Sequence, residues 1–250
     1  MNTTSDSVPS GIYGRTLASL IHEALRDDII AGRLKPGERV NDVELTRRFR
    51  VSRIPLREAL RRLEGDGLVW YADRHGVFVT DVSAAGLKEN YLIRECLESL
   101  AIRLGCEQIG PEGITALNDL LVSMQSCVDS GDLRRLLVLN KAFHLTIYRA
   151  SGFPGLCKLI ESFWDQGLRY RFLFIMDEDH ARVTMEEHRN LVVACERRDL
   201  AMAEGILRQA LAYTKGVLSE SSYWDETASG GAPGRTASVP SRSSSIYAST

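Results

Sequence analysis

Seven arginines and a single acid, Glu58, fall in the sixteen residues from Arg47 to Arg62. Such a run can attract phosphate over short, screened distances and can pair with the O6/N7 edge of guanine. A solvated helix face would carry the same charge, so the frame around the arginines has to decide. Ser52 is a good N-cap, and Pro55 falls in a first helical turn, where no backbone donor is lost. Leu56, Ala59, Leu60 and Leu63 recur as a buried stripe, which leaves Arg53, Arg57 and Arg61 on another face. A helix that reads the major groove needs arginine near its N-terminus beside small or apolar neighbours; Ser52, Arg53, Ile54, Pro55 and Arg57 offer that. Arg53 and Arg57 are expected on bases or adjacent phosphates and Ser52 on phosphate. Arg47 and Arg48 are expected as phosphate clamps, while Arg61 and Arg62 face solvent or a neighbouring helix.

The elements that must position these residues can be read on either side. Residues 1–11 are polar, contain Pro9 and Gly11, and read as a flexible arm. Apolar residues then recur at helical spacing up to Ala31, and "GRLKPGERV" supplies a helix stop and a turn. Asn41, with Glu44 three residues on, opens a short helix of about Asp42 to Phe49 in capping-box fashion. After "EGDG", the alternating text "LVWYADRHGVFVTDV" turns around Asp73–Gly76 as a β-hairpin. Its tip carries Arg74, His75 and Gly76, where glycine lets the backbone approach a minor groove. His75 reads equally as a plain exposed turn residue. Three helices and a hairpin in this order, over residues 12–82, spell a winged helix–turn–helix.

From Ser83 to about Glu220 the text is helical throughout, with helices expected at 84–109, 112–129, 132–150, 155–175, 178–198 and 199–219. The aromatic residues Phe163, Trp164, Tyr170, Phe172 and Phe174 read as core or dimer packing. Residues 221–250 are rich in Ser, Thr, Gly, Ala and Pro, and are expected to be disordered. The fold class is therefore mainly α: a winged helix–turn–helix, an all-α bundle over residues 83–220, and a tail.

Apolar content of 44 % and charged content of 26 % belong to an ordinary globular protein. No window approaches 18 consecutive apolar residues and the N-terminus lacks a secretion signal, so the expectation is a cytoplasmic protein with no membrane span. The five cysteines are odd in number and form no C-x-x-C pair, which favours reduced thiols over disulfides or a zinc knuckle. A net charge of −2 hides an asymmetry: residues 1–80 hold 13 Lys/Arg against 11 Asp/Glu, and the rest 18 against 22.

The stretch "LRDDIIAGRLKPGERVNDVELTRRFRVSRIPLREALRRLEGDGLV" resembles the N-terminal domain of GntR-family bacterial transcription regulators, a likeness covering residues 14–82. "YLIRECLESLAIRLGCE", "NKAFHLTIYRASG" and "EEHRNLVVACERRDLAMAE" resemble the FCD effector domain of the FadR subfamily. The resemblance implies a homodimer that reads a pseudo-palindromic operator in double-stranded DNA, with repression relieved by a small organic acid or sugar acid.

Many FCD domains hold a metal between an aspartate, two histidines and a third histidine on the last helix. Carried onto this chain, the middle two ligands fall on His144 and His188, the first on Asn140, and the last at or near Ala210. Asn140 and His144 are four apart and share a helix face. Zinc wants four ligands, or three plus water. The preferred expectation is thus a cofactor-free pocket in which Asn140, His144 and His188 meet an effector; the alternative is a weakly held Zn, Ni or Mn at the same three residues. The resemblance also implies that Arg94 faces an effector carboxylate, which its planar fork suits. An ion pair with Glu95, Glu98 or an acid from another helix is the competing reading. Tyr91, one turn earlier, is expected on the same wall.

An enzyme would need His144, His188 and Glu186 or Glu187 to form a small metal hydrolase. The sequence has no H-E-x-x-H, G-x-S-x-G or P-loop, so no catalysis is expected. A DNA-binding dimer with no effector is the remaining rival.

Overall fold

A computed structural model describes residues 16–174 and 178–219, with side chains placed outside 171–180. The arm at 1–11 and the tail at 221–250 lie outside these residues, as do the side chains of Phe172 and Phe174. The chain divides into two compact units, one ending at Thr80 and the other starting at Asp81.

The first unit runs α1 (Leu17–Ile30), α2 (Asp42–Phe49), α3 (Arg53–Gly65), β1 (Val69–Ala72) and β2 (Gly76–Val79). Asn41 opens α2 as the sequence predicts, its side chain accepting from the amides of Val43 and Glu44 at 3.1 and 3.2 Å. Arg50 then takes a left-handed conformation (φ 53°), and this residue turns the chain from α2 into α3. Ile21, Leu25 and Ile29 of α1 meet Leu56, Leu60 and Leu63 of α3 in the core, with Leu68, Val77 and Val79 closing it from the hairpin.

The hairpin is antiparallel, with Trp70 opposite Phe78 and Ala72 opposite Gly76. The segment read as a plain turn does more than turn. Val40 donates to the Val77 carbonyl at 2.8 Å, Val79 donates to Glu38 at 2.9 Å, and Arg39 bridges Phe78. Gly37 to Val40 therefore lines the outer edge of β2. Pro36 and Gly37 obscure a pairing this short, which only the hairpin beside it makes visible.

Asp28 is buried at 1 % exposure at the end of α1. Arg33 Nε donates to it at 2.5 Å, and Arg48 of α2 forms a second ion pair with its other oxygen. Burial alone would raise the Asp28 carboxyl, but the hydrogen bonds and charges of Arg48 and Arg33 outweigh it and hold it below its ordinary range. A depressed carboxyl contributes stability that is fully present above its unfolded pKa of about 3.9 and is lost as pH falls through the lower folded value. Asp28→Asn is thus expected to lower the urea midpoint of this unit at pH 7, and the gap to wild type should narrow towards pH 3. A gap that stays constant over that range would show that the pair contributes nothing.

The second unit is built of α4 (Ala84–Gln108), α5 (Pro111–Ser130), α6 (Leu133–Ala150), α7 (Pro154–Phe174), α8 (Glu178–Arg197) and α9 (Leu200–Ser219). Each end falls within one residue of its expected place, and no strand occurs among the described residues of this unit. α4 lies at the centre, against α6, α7 and α9. It comes so near α6 that a Cβ on Gly105 would stand 1.9 Å from the Ile147 carbonyl oxygen, so only glycine fits there. Ile102, Phe143, Ile147, Ile160, Leu191 and Leu207 make the core around it. Among the described residues no helix is long and apolar enough to cross a membrane.

Candidate nucleic-acid interface and ligand cavity

α3 projects its first turn into solvent. Ile54 is 78 % exposed, Arg53 and Arg57 are exposed beside it, and Pro55 is half-buried. Leu56, Ala59, Leu60 and Leu63 are all buried, so the helix can show DNA only the face that carries these arginines. Ser52 stands at the N-cap without a side-chain capping bond. Arg47, Arg53 and Arg57 make no hydrogen bond or ion pair with a described side chain and keep their full donor set for phosphate or base edges.

Two other arginines of the run are engaged. Arg48, expected as a phosphate clamp, is committed to Asp28 and lies over the Phe49 ring at 5.0 Å. Its partner is twenty residues back on another helix, beyond the reach of local periodicity. Arg62 pairs with Glu58 at 2.5 Å and donates to Ser19 of α1 at 2.9 Å, so it ties helices together as one of its two expected roles required.

At the hairpin tip, Arg74 (φ 61°) and Gly76 (φ 104°) both occupy the left-handed region, and His75 between them is exposed. A Cβ on Gly76 would meet Arg39 Nε at 3.3 Å. The exposed guanidinium of Arg39 therefore rests against the wing tip, a basic residue that the sequence reading passed over. The alternation in "ERV", with Val40 buried and Arg39 outward, is the signal that could have found it.

In the second unit a cavity opens among α4, α6, α7, α8 and α9, and Arg94, Asn140, His144 and His188 all line it. Its free interior is about 30 Å³, room for roughly two or three waters at ~10–15 Å³ each. The imidazoles of His144 and His188 stand 4.9 Å apart in an edge-to-face arrangement. His188 Nδ1 lies 2.6 Å from the Thr184 carbonyl oxygen. A carbonyl only accepts, so Nδ1 carries the proton, which leaves Nε2 as an acceptor when the ring is neutral. Tyr148 gives its hydroxyl proton to Glu98 at 2.6 Å and can accept from His144 Nδ1 at 3.4 Å, which orients the second ring in the same sense. Burial and the adjacent Glu98 push the Tyr148 hydroxyl well up, so it keeps that proton. Asn140 Oδ1 is buried with no hydrogen-bond partner. Asn140 Oδ1 and the two imidazoles thus share one cavity wall.

Arg94, 2 % exposed, donates Nε to Glu98 at 2.6 Å, which realises the competing ion-pair reading. It still lines the cavity, and its terminal nitrogens make no hydrogen bond to the described residues. Burial pulls the guanidinium down, but Glu98 and the neighbouring tyrosines outweigh it, so Arg94 stays charged. Tyr91 does not line the wall as expected. Its ring backs Arg94 at 5.1 Å, because a residue three positions earlier points further round the helix. Trp164, read as packing alone, is buried and also lines the cavity, with Arg94 stacked 4.3 Å over it. Tyr148 was not singled out in the sequence, although it lies four residues beyond His144 on the same face, as Glu98, named there only as an ion-pair partner, lies four beyond Arg94.

The four-residue metal set that the family resemblance implies is not complete here. Ala210 lines the cavity with a methyl where a fourth donor would be needed. Of that set two imidazoles and a neutral amide remain, with the carboxylates of Glu98 and Glu187 elsewhere on the lining, and no group of three His, Cys, Asp or Glu suited to a metal exists among the described residues.

Comparison with known proteins follows the same division. The family model described as bacterial regulatory proteins, gntR family, matches residues 17–79, and the FCD domain model matches residues 89–213. The chain is 32 % identical over 184 residues to the HTH-type transcriptional regulator YdhC of Bacillus subtilis (strain 168), covering 73 % of this chain and 82 % of that protein. It is 30 % identical over 187 residues to the HTH-type transcriptional regulator McbR of Escherichia coli (strain K12), covering 74 % and 84 %. To the HTH-type transcriptional repressor GlaR of Escherichia coli (strain K12) it is 29 % identical over 200 residues, covering 75 % and 89 %. The solved structure of E. coli McbR/YncC superposes with a TM-score of 0.73 at 28 % identity, over 81 % of this chain and 97 % of that one.

Proposed function

Because the chain belongs to the GntR family of bacterial regulatory proteins, carries an FCD domain and is a DNA-binding transcriptional regulator, we propose that a small hydroxylated organic acid in the helical unit sets its operator affinity. The observation that carries this reading is Asn140 Oδ1, buried without a partner on the wall it shares with His144 and His188. Leaving a buried acceptor unsatisfied costs about 1–3 kcal/mol. A ligand that donates hydroxyls to Asn140 and to the imidazole Nε2 atoms removes that cost, and the Arg94 fork takes its carboxylate. No metal is needed, and the donor set does not favour one.

The cavity as it stands is too small for a sugar acid, so binding requires the helices around it to part. That is where regulation enters: the ligand shifts DNA affinity only by its differential affinity for the two arrangements. On the DNA side, two copies of the first unit read a pseudo-palindrome in the cytoplasm, with Arg53, Ile54 and Arg57 at base edges and Ser52 and Arg47 on phosphate. His75, Gly76 and Arg39 approach from the wing, and Arg48 holds the scaffold behind them. Repression is the sign we favour, since GlaR and RspR of Escherichia coli are named repressors.

Thermal shift on EDTA-stripped protein tests this, with Zn²⁺, Ni²⁺ and Mn²⁺ each tried with and without a panel of hydroxycarboxylates. A ligand at a hundred times its Kd adds about 2.7 kcal/mol. For a chain of this size that raises the midpoint by roughly 5–10 °C. The expected result is a shift with an acid alone, abolished by Asn140→Ala. A shift with metal alone, lost in His188→Ala, would overturn the metal-free site. No shift across the panel would leave a DNA-binding dimer without an effector.

A further inference from the structure

α4 leaves one face uncovered. Leu92 is 62 % exposed and Leu100 52 %, and Cys96, midway between them, is exposed while the other four cysteines are buried. Glu89 and Arg103, both exposed, stand seven residues to either side of Cys96. At about 100° per residue these five side chains fall within an arc of about 80°, with Cys96 at its middle. The pattern is symmetric about Cys96 in apolarity and opposite in charge, which is what a self-complementary helix pair requires.

We propose that this face is the interface with a second copy of the chain, the two α4 helices packing antiparallel about a two-fold axis through Cys96. The inference rests on the dimeric reading above and adds the surface and its register. Leu92 then packs on the partner's Leu100, about 6 Å from the axis, and Glu89 faces the partner's Arg103, about 10 Å from it, at the rise of 1.5 Å per residue. Among the described residues Arg103 has a single long contact, to Glu204 at 3.6 Å, which it can exchange for the new pair. The pair formed by Glu95 and Arg208 borders the stripe with polar groups, as the rim of an interface requires. A small residue at the crossing point lets the helices approach to about 8–10 Å between axes, which with a Cα radius of about 2.3 Å places the two Cys96 Cα atoms about 3.5–5.5 Å apart. The upper part of that range is within the span of a disulfide, about 4.4–6.8 Å.

The test uses the full chain. Oxidation with copper phenanthroline is expected to yield a covalent dimer on a non-reducing gel, absent in Cys96→Ser. In light scattering Leu92→Glu is expected to run as a monomer with an unchanged circular dichroism spectrum. Glu89→Arg and Arg103→Glu should each raise the dimer dissociation constant at least about tenfold by setting like charges opposite, and the double variant should recover most of the loss. That recovery excludes misfolding as the cause. A dimer that neither cross-links through Cys96 nor weakens in Leu92→Glu overturns the proposed face while leaving the dimeric reading in place. A monomeric wild type overturns both.

Discussion

Arg53→Ala is expected to weaken operator binding by about 1–3 kcal/mol, roughly 5- to 150-fold in Kd, and to relax base preference at one position of each half-site. The reason lies in how α3 is held. Its buried stripe leaves no freedom to rotate, and Arg53 sits in the first turn beside the exposed Ile54, with no side-chain partner among the described residues to give up. Arg47→Ala should behave differently. A phosphate contact lowers affinity evenly across sequences and reduces the salt slope by about one. Fluorescence anisotropy against operator and scrambled duplexes, at several salt concentrations, separates the two. An Arg53→Ala protein that footprints the same site with unchanged Kd would remove α3 from its role.

Glu98→Ala should cost the helical unit about 3–5 kcal/mol, because deleting one partner of a buried ion pair leaves the other charge uncompensated. Here the stranded charge is Arg94, 2 % exposed, and the same change removes the acceptor of the Tyr148 hydroxyl. Urea unfolding of the α4–α9 unit measures the loss. The double replacement Arg94→Met with Glu98→Leu should recover much of it, since no charge remains to be desolvated. If Glu98→Ala unfolds at the wild-type urea midpoint, the Arg94–Glu98 pair does not support the cavity wall. The double variant should still bind operator yet lose the hydroxyacid response, because the Arg94 fork is gone.

Much of the molecule was legible before any coordinates. The six helices of the second unit fell within a residue of their expected ends because their stops are local chemistry, such as Gly110 before Pro111 or the left-handed Gly131 after α5. Asn41 and its two capped amides are equally local. Where the reading fell short, the missing information was long-range. Gly37 to Val40 has no strand pattern of its own, and its pairing exists only because β2 lies beside it. Tyr91 shares a helix with Arg94, but whether it lines the cavity depends on how α4 is rotated against α6, α7 and α9.

By itself the sequence determined the order of elements, the face of α3 turned outward, the family, and which side chains were candidates for binding. Caps, turns and apolar periodicity act over a few residues and leave their mark in the text. Only the tertiary structure decided what each candidate does. Arg48 became a brace by meeting Asp28 twenty residues away, and Arg94 became half ion pair and half cavity wall through Glu98, whose other oxygen is held by Tyr148, fifty residues on. A charged side chain can choose among several partners within its reach, and packing alone brings one of them near enough, and dry enough, to win.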